Sequence, residues 1–199
     1  DMVPMSSTES LSNSDRAALI DVAGASIQYG LHQGQALAVK PNDYPAALRP
    51  LRATFVTLEI GGQLRGCIGA LVAYQSLVQD VATHAYAAAF GDPRFPQLRS
   101  EEFPSLDIDL SVLSPPEPLY FESEEELLAQ LQPGIDGLIL HFHDSRTTFL
   151  PAVWEKLPDP CLFLARLKLK AGLPLDFWSS ELRAERYTTE HLGVAAADQ

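Results

Sequence analysis

The chain has 199 residues, 46% of them hydrophobic, and acids exceed bases by 26 to 14 for a net charge of −12. That apolar fraction supplies a folded core and excludes a largely disordered chain, while the acidic balance repels phosphate backbones and argues against nonspecific nucleic-acid binding. No apolar run approaches the roughly 18 residues that span a bilayer, and Asp1 to Ser14 lacks the basic and apolar regions of a secretory signal, so a cytoplasmic protein without membrane association is expected.

Ser14 or Asp15 is expected to cap a first helix, because Leu19, Val22, Ala23 and Ile27 recur at helical spacing before Gly30 and Gly34; the residues ahead of it, 1–13, are read as a tail. Ala53 to Ile60 and Gln63 to Ala70 read as a hairpin about the turn Gly61-Gly62. An alanine-rich helix follows over Leu77 to Phe90, then a proline-stiffened loop from Gly91 to Pro96. Leu106, Ile108, Leu110 and Val112 alternate with polar residues, the pattern of a strand with one wet face, and Pro115-Pro116 stops it. A short acidic helix is expected over Glu124 to Leu131, strands over Gly137 to His143 and Thr147 to Leu150, and a helix capped by Asp159 and closed by Gly172. Leu182 to Thr189 reads as a last strand, with residues 192–199 as a second tail. Elements of both kinds are interspersed without strict alternation, so the fold class is α+β, with a largely antiparallel sheet and flanking helices.

Leu64-Arg65-Gly66-Cys67-Ile68-Gly69 places a thiol between two glycines on the returning arm of the hairpin. Glycine weakens a strand, so two of them here signal close approach, by a packed neighbour or by a ligand. The only other cysteine is Cys161, and the two are read as unpaired thiols of a reducing compartment.

This motif resembles the signature of the AMMECR domain family, known in prokaryotes as AmmeMemoRadiSam system protein A. Asp92-Pro93-Arg94-Phe95-Pro96, Ser111 to Pro116, Pro133 to Leu138, Phe149-Leu150-Pro151 with Trp154, and Lys170 to Leu173 with Trp178 look like its later blocks in the same order. The resemblance covers about Ser14 to His191, read as one domain of two intimate subdomains. It implies larger and smaller subdomains forming a cleft at the cysteine motif, association with Memo-like and radical-SAM proteins, and no stated cofactor or reaction. The chain departs from the family pattern at His141 to Arg146 and at Cys161, so Cys161 is expected to share no family function.

Two readings of the motif stay open. In the first, Cys67 and Arg65 are catalytic, Cys67 as nucleophile or redox thiol, because a guanidinium beside a thiol favours the thiolate. Gly66, Gly69, Asp92 and Arg94 then bind the ligand, whose identity the sequence leaves unnamed. In the second, the chain is a non-catalytic adaptor and the thiol is structural. A two-residue turn puts Cys67 opposite Val56 and Arg65 opposite Leu58, on an apolar face where a cysteine simply packs.

Around these, His84 falls on the Leu77 and Val81 face of its helix and reads as a core histidine. Asp92 and Arg94 read first as an ion pair that locks their loop. His141 and His143, with Asp107 and Asp109, form a weak candidate for a metal site if their strands are adjacent. Lys156, Arg166, Lys168, Lys170, Arg183 and Arg186 face four acids over the same stretch, a local basic patch read as a solvated face or, for the adaptor, a docking surface at Arg166 and Lys170.

Overall fold

The structure, a computed structural model, describes residues 10–193. In chain order its helices are α1 (Asn13–Gln33), α2 (Leu77–Phe90), α3 (Glu124–Gln130) and α4 (Pro160–Lys170). Its strands are β1 (Thr54–Ile60), β2 (Gln63–Gly69), β3 (Leu106–Leu113), β4 (Glu117–Leu119), β5 (Gly137–Phe142), β6 (Ser145–Phe149), β7 (Arg183–Tyr187) and β8 (Thr189–Gly193). They form two antiparallel four-stranded sheets, in the orders β2-β1-β3-β8 and β4-β7-β5-β6, so the fold is α+β. The chain divides into two compact units, one running to Leu113 and resuming at Glu190, the other spanning Ser114–Thr189.

In the first unit, α1 is capped by Ser12, two residues before Ser14 and three before Asp15, the expected caps. Ser12 Oγ accepts the Asp15 amide at 3.1 Å while Asp15 accepts the Ser12 amide at 3.3 Å, so Asp15 closes a capping box instead of standing at the cap. Gly34, at φ 70°, ends the helix in the left-handed region. Gly61 and Gly62, at φ 59° and 77°, make the hairpin turn whose twist matches its strands. Leu19, Val22, Ala23 and Ile27 of α1, Val56 and Leu58 of β1, and Val78, Val81 and Ala85 of α2 are buried together. Each larger side chain among them contributes about 1.5–3 kcal/mol by leaving water. At the chain ends Leu11 packs on this core and Leu192 is buried in it; residues 1–9 and 194–199, the rest of the expected tails, lie outside the described residues.

In the second unit, Leu138, Leu140 and Ala184 pack against Phe163, Leu164 and Leu167 of α4. Trp154 stacks on Phe163 with ring centroids 3.7 Å apart and donates its indole N–H to the Asp136 carbonyl at 2.7 Å. Two corrections concern strands. The expected strand Leu182 to Thr189 is two strands in different sheets, since Tyr187 ends β7 and Thr189 begins β8. The returning strand β6 starts at Ser145, two residues before its expected start, because His143 at φ 50° already turns the chain. The basic patch also needs correcting: Lys168 is 1% exposed, ion-paired with Glu124 and 6.0 Å from the Trp178 ring, so it belongs to the core. Among the described residues no helix is long and apolar enough to cross a membrane.

Candidate functional site

Cys67 lies on β2, and its surroundings are set by a β-bulge. Leu58 pairs with Gly66 while Glu59 pairs with Leu64, so Arg65 is an extra residue without a partner on β1. The bulge moves Cys67 one place along, opposite Thr57 and not Val56. The apolar wall expected around the thiol is therefore absent. Val56 and Leu58 face the core, whereas Cys67 shares the other face with half-buried Thr57, whose Oγ1 lies 3.3 Å from its Sγ.

The same shift explains both glycines. Gly66 stands opposite Leu58 on the core face, where a Cβ would overlap the Ala88 carbonyl of α2. At Gly69 a Cβ would overlap the Thr54 carbonyl and the Phe55 ring. The close approach that the two glycines signal is made, where a Cβ would point, by protein atoms.

Arg65 is 8% exposed and turned into the protein. Its Nε and Nη2 donate to the two Glu102 carboxylate oxygens at 3.0 and 3.1 Å, and Nη2 also donates to the Pro96 carbonyl at 2.9 Å. Nη1 is buried with no hydrogen-bond partner among the described residues, and the Phe95 ring centroid lies 5.9 Å from the guanidinium carbon. Glu102 is held below the usual carboxylate range, first by the Arg65 hydrogen bonds and then by the Arg99 amide. Arg65 thus ties β2 to the loop after α2.

A second arginine takes the position beside the thiol. Asp92, 5% exposed, accepts the Cys67 amide at 3.0 Å, the Arg94 amide at 3.0 Å, and Arg94 Nε and Nη2 at 3.0 and 2.7 Å. The Arg94 side chain is 56% exposed. The Arg94 hydrogen bonds hold the Asp92 carboxyl well below its ordinary range against the opposing effect of burial. Arg94 is raised, first by Asp92, with the charge of Cys67 adding to it. The result is a fixed, solvent-reaching guanidinium beside Cys67, held by a buried carboxylate that also fixes the thiol's own backbone.

Across the same sheet face, Thr57 pairs with Cys67 on one side and Asp109 on the other, and Asp109 Oδ2 meets His191 Nε2 at 2.9 Å. Thiol, hydroxyl, carboxylate and imidazole therefore form a row. Three strand spacings, about 14 Å, separate the thiol on β2 from the imidazole on β8, too far for a direct cysteine–histidine hydrogen bond. Thr57, Glu102 and His191 escaped sequence reasoning: a bulge leaves no periodic signal, and the partners lie on elements far along the chain.

The remaining candidates are not brought to Cys67. His84 Nδ1 lies 3.0 Å from Asp80 and 3.1 Å from Thr54, whose hydroxyl donates to Asp80 at 2.6 Å, so it is a satisfied core histidine. His141 is on β5 and Asp107 and Asp109 are on β3, in different sheets, which removes the proposed metal site. His141 instead pairs with Glu185 and His143 with Glu181, and no group of three potential metal ligands occurs among the described residues. Cys67 and Cys161 are both free, Cys161 exposed after the Asp159 cap of α4.

The AMMECR1 family profile matches residues 20–192. A protein of Methanothermobacter thermautotrophicus is 38% identical over 182 residues, covering 90% of this chain and 94% of that protein. Protein MJ0810 of Methanocaldococcus jannaschii is also 38% identical, over 69% of this chain and 70% of its own length. Among solved structures, uncharacterized protein PH0010 from Pyrococcus horikoshii superposes with a TM-score of 0.79 at 33% identity, covering 87% of this chain and 88% of that one. The chain belongs to the AMMECR1 family.

Proposed function

We propose that this chain binds a small anionic ligand, and acts on it, at the surface around Cys67. Arg94 is the ligand-holding cation and Cys67 the nucleophile or redox thiol, and Memo-like and radical-SAM proteins of the same cytoplasmic system are its partners. One observation carries the reading: a buried carboxylate, Asp92, binds at once the amide of Cys67 and the fork of a half-exposed arginine. A salt bridge for stability alone gains little from leaving the guanidinium in water. A preorganised cation beside a thiol suits a reaction in which negative charge approaches sulfur. Two free thiols also fit a reducing compartment.

The test needs no knowledge of the natural substrate. Iodoacetate and iodoacetamide alkylate the same sulfur but differ by one negative charge. Measured by mass spectrometry on the folded chain, the iodoacetate-to-iodoacetamide rate ratio at Cys67 is expected to exceed that at Cys161 by roughly threefold or more. Arg94→Gln should remove the excess. Protection of Cys67 until the chain unfolds would defeat the proposal.

The second reading, an adaptor, draws on α4, where Arg166 and Lys170 are exposed beside Leu162 and Leu169, each 44% exposed. Mixed apolar and basic character on one helix suits docking to an acidic partner. Reversing Arg166 and Lys170 should then weaken partner capture in a salt-dependent manner.

A further inference from the structure

The second unit holds a pocket of about 510 Å³, inside the range of about 300–1,000 Å³ typical of small-molecule sites. None of its lining residues belongs to the first unit. Its origin is a strand pair that stops short. Leu119 pairs with Ala184, and continued pairing would set Tyr120 against Arg183. The chain leaves β7 there, and the Tyr120 carbonyl accepts from Gln130 Nε2 of α3 at 2.8 Å. Tyr120 and Phe121 therefore form one wall, Leu182 to Glu185 the other, and His141 of β5 closes it.

The polar groups in this notch are unequally satisfied. Glu185 Oε1 lies 2.6 Å from His141 Nε2, so the one carboxylate is engaged and orients the imidazole, leaving the second ring nitrogen without a partner among the described residues. Arg183 pairs in register with His141 across β7 and β5, is exposed, and its side chain makes no hydrogen bond or ion pair among the described residues. Arg146, the register partner of His141 on β6, is exposed and equally uncommitted among them. A row of two guanidiniums and an imidazole thus crosses the sheet within a chain of net charge −12. Tyr120, 83% exposed, lines the notch together with Leu119, Leu182 and Ala184.

We infer that this pocket is a binding site for a small planar aromatic anion, whose ring lies against Tyr120 and whose carboxylate or phosphate is held by Arg183 beside the His141–Glu185 pair. Glu185 Oε1 is already engaged by His141 Nε2, and the register partners Arg183 and Arg146 put two uncommitted cations on the same row. Arg183 supplies the fork that a carboxylate or phosphate accepts in two hydrogen bonds. The inference is independent of the Cys67 proposal, since the two sites share no residue.

The probe is 2-naphthoate, with 2-naphthamide as its neutral counterpart and naphthyl phosphate as the phosphate form, titrated into the full chain while amide resonances are followed. Saturable shifts confined to residues 119–121, 141 and 182–185, with a dissociation constant of about 1 mM or tighter, are expected. Arg183→Gln, at an exposed position that leaves the fold intact, should weaken naphthoate at least tenfold and leave naphthamide unchanged. Tyr120→Ala should weaken both. Whichever anion binds more tightly identifies the headgroup. Absence of saturation at about 10 mM, shifts elsewhere, or equal naphthoate affinity in Arg183→Gln would overturn the assignment.

Discussion

Cys67 donates its amide to Asp92 Oδ2 at 3.0 Å across 25 residues of chain, and this bond fixes where the thiol sits relative to the loop after α2. Replacing Asp92 with Asn keeps the shape and removes the charge. With the half-buried Cys67 amide and the Arg94 fork each losing a charged acceptor, Asp92→Asn should cost about 2 kcal/mol at neutral pH. The sign of its pH dependence is fixed. A carboxyl whose folded pKa is depressed adds stability above its unfolded value of about 3.9, and that stability is lost as pH falls below it. Urea unfolding from about pH 6 down to pH 2 should show a steeper decline in the parent than in Asp92→Asn, and parallel curves would refute the assignment.

Arg65 and Arg94 both have Phe95 beneath them, at 5.9 and 5.5 Å from the ring centroid, yet they should separate experimentally. Arg65→Met should cost about 3 kcal/mol, because it abandons a half-buried Glu102 and the Pro96 carbonyl. The cycle with Glu102→Gln should show coupling above about 1 kcal/mol. Arg65→Met should leave the iodoacetate-to-iodoacetamide ratio at Cys67 unchanged, whereas Arg94→Gln collapses it. A fall in that ratio for Arg65→Met would return the electrostatic role to Arg65.

Helix and strand identities were legible because burial is periodic. Leu77–Phe90 is bounded by Ser76 and Gly91, and the alternation from Leu106 puts Ile108, Leu110 and Val112 in the core. The Cys67 surroundings were not legible, because one unpaired residue at Arg65 changes every cross-strand partner beyond it and no composition marks a bulge. Asp92 and Arg94 were recognisable as a loop-locking pair, since two residues of one stiff loop bond locally. That the lock also grips the Cys67 amide needed the tertiary fold. The pocket beside Tyr120 was invisible for the same reason, as it arises from a strand pair that ends early.

Gly66 gives a test of whether its conformation or its lack of a side chain matters. Gly66→Ala would drive a Cβ into the Ala88 carbonyl of α2, a backbone atom that cannot rotate away. Loss of more than about 3 kcal/mol, or failure to fold, is expected. Gly62→Asn, at φ 77° in the hairpin turn with open space around it, should cost less than about 1 kcal/mol. Thermal unfolding of the two variants side by side checks the contrast, and a stable Gly66→Ala would mean that α2 does not pack so closely on β2.

Tyr187 is 1% exposed, with its hydroxyl 2.8 Å from Thr148 Oγ1 and donating to the Phe149 carbonyl at 3.2 Å, while its ring covers Gly137, its cross-strand partner on β5. Burial pushes its phenol up to about 12, against a smaller opposing effect of the Thr148 hydrogen bond. A folded pKa above the unfolded value of about 10 means that its contribution is complete below pH 10 and is lost as pH rises towards 12. Absorbance titration should therefore show fewer tyrosines ionising near pH 10 in the folded chain than in urea, burial raising Tyr74 as well. Tyr187→Phe should narrow that difference, reduce the loss of stability between about pH 10 and 12, and cost about 1 kcal/mol at neutral pH through its missing hydrogen bonds. If the variant and the parent decline equally over that alkaline range, the stability lost there belongs to other groups and the second sheet does not depend on a neutral Tyr187.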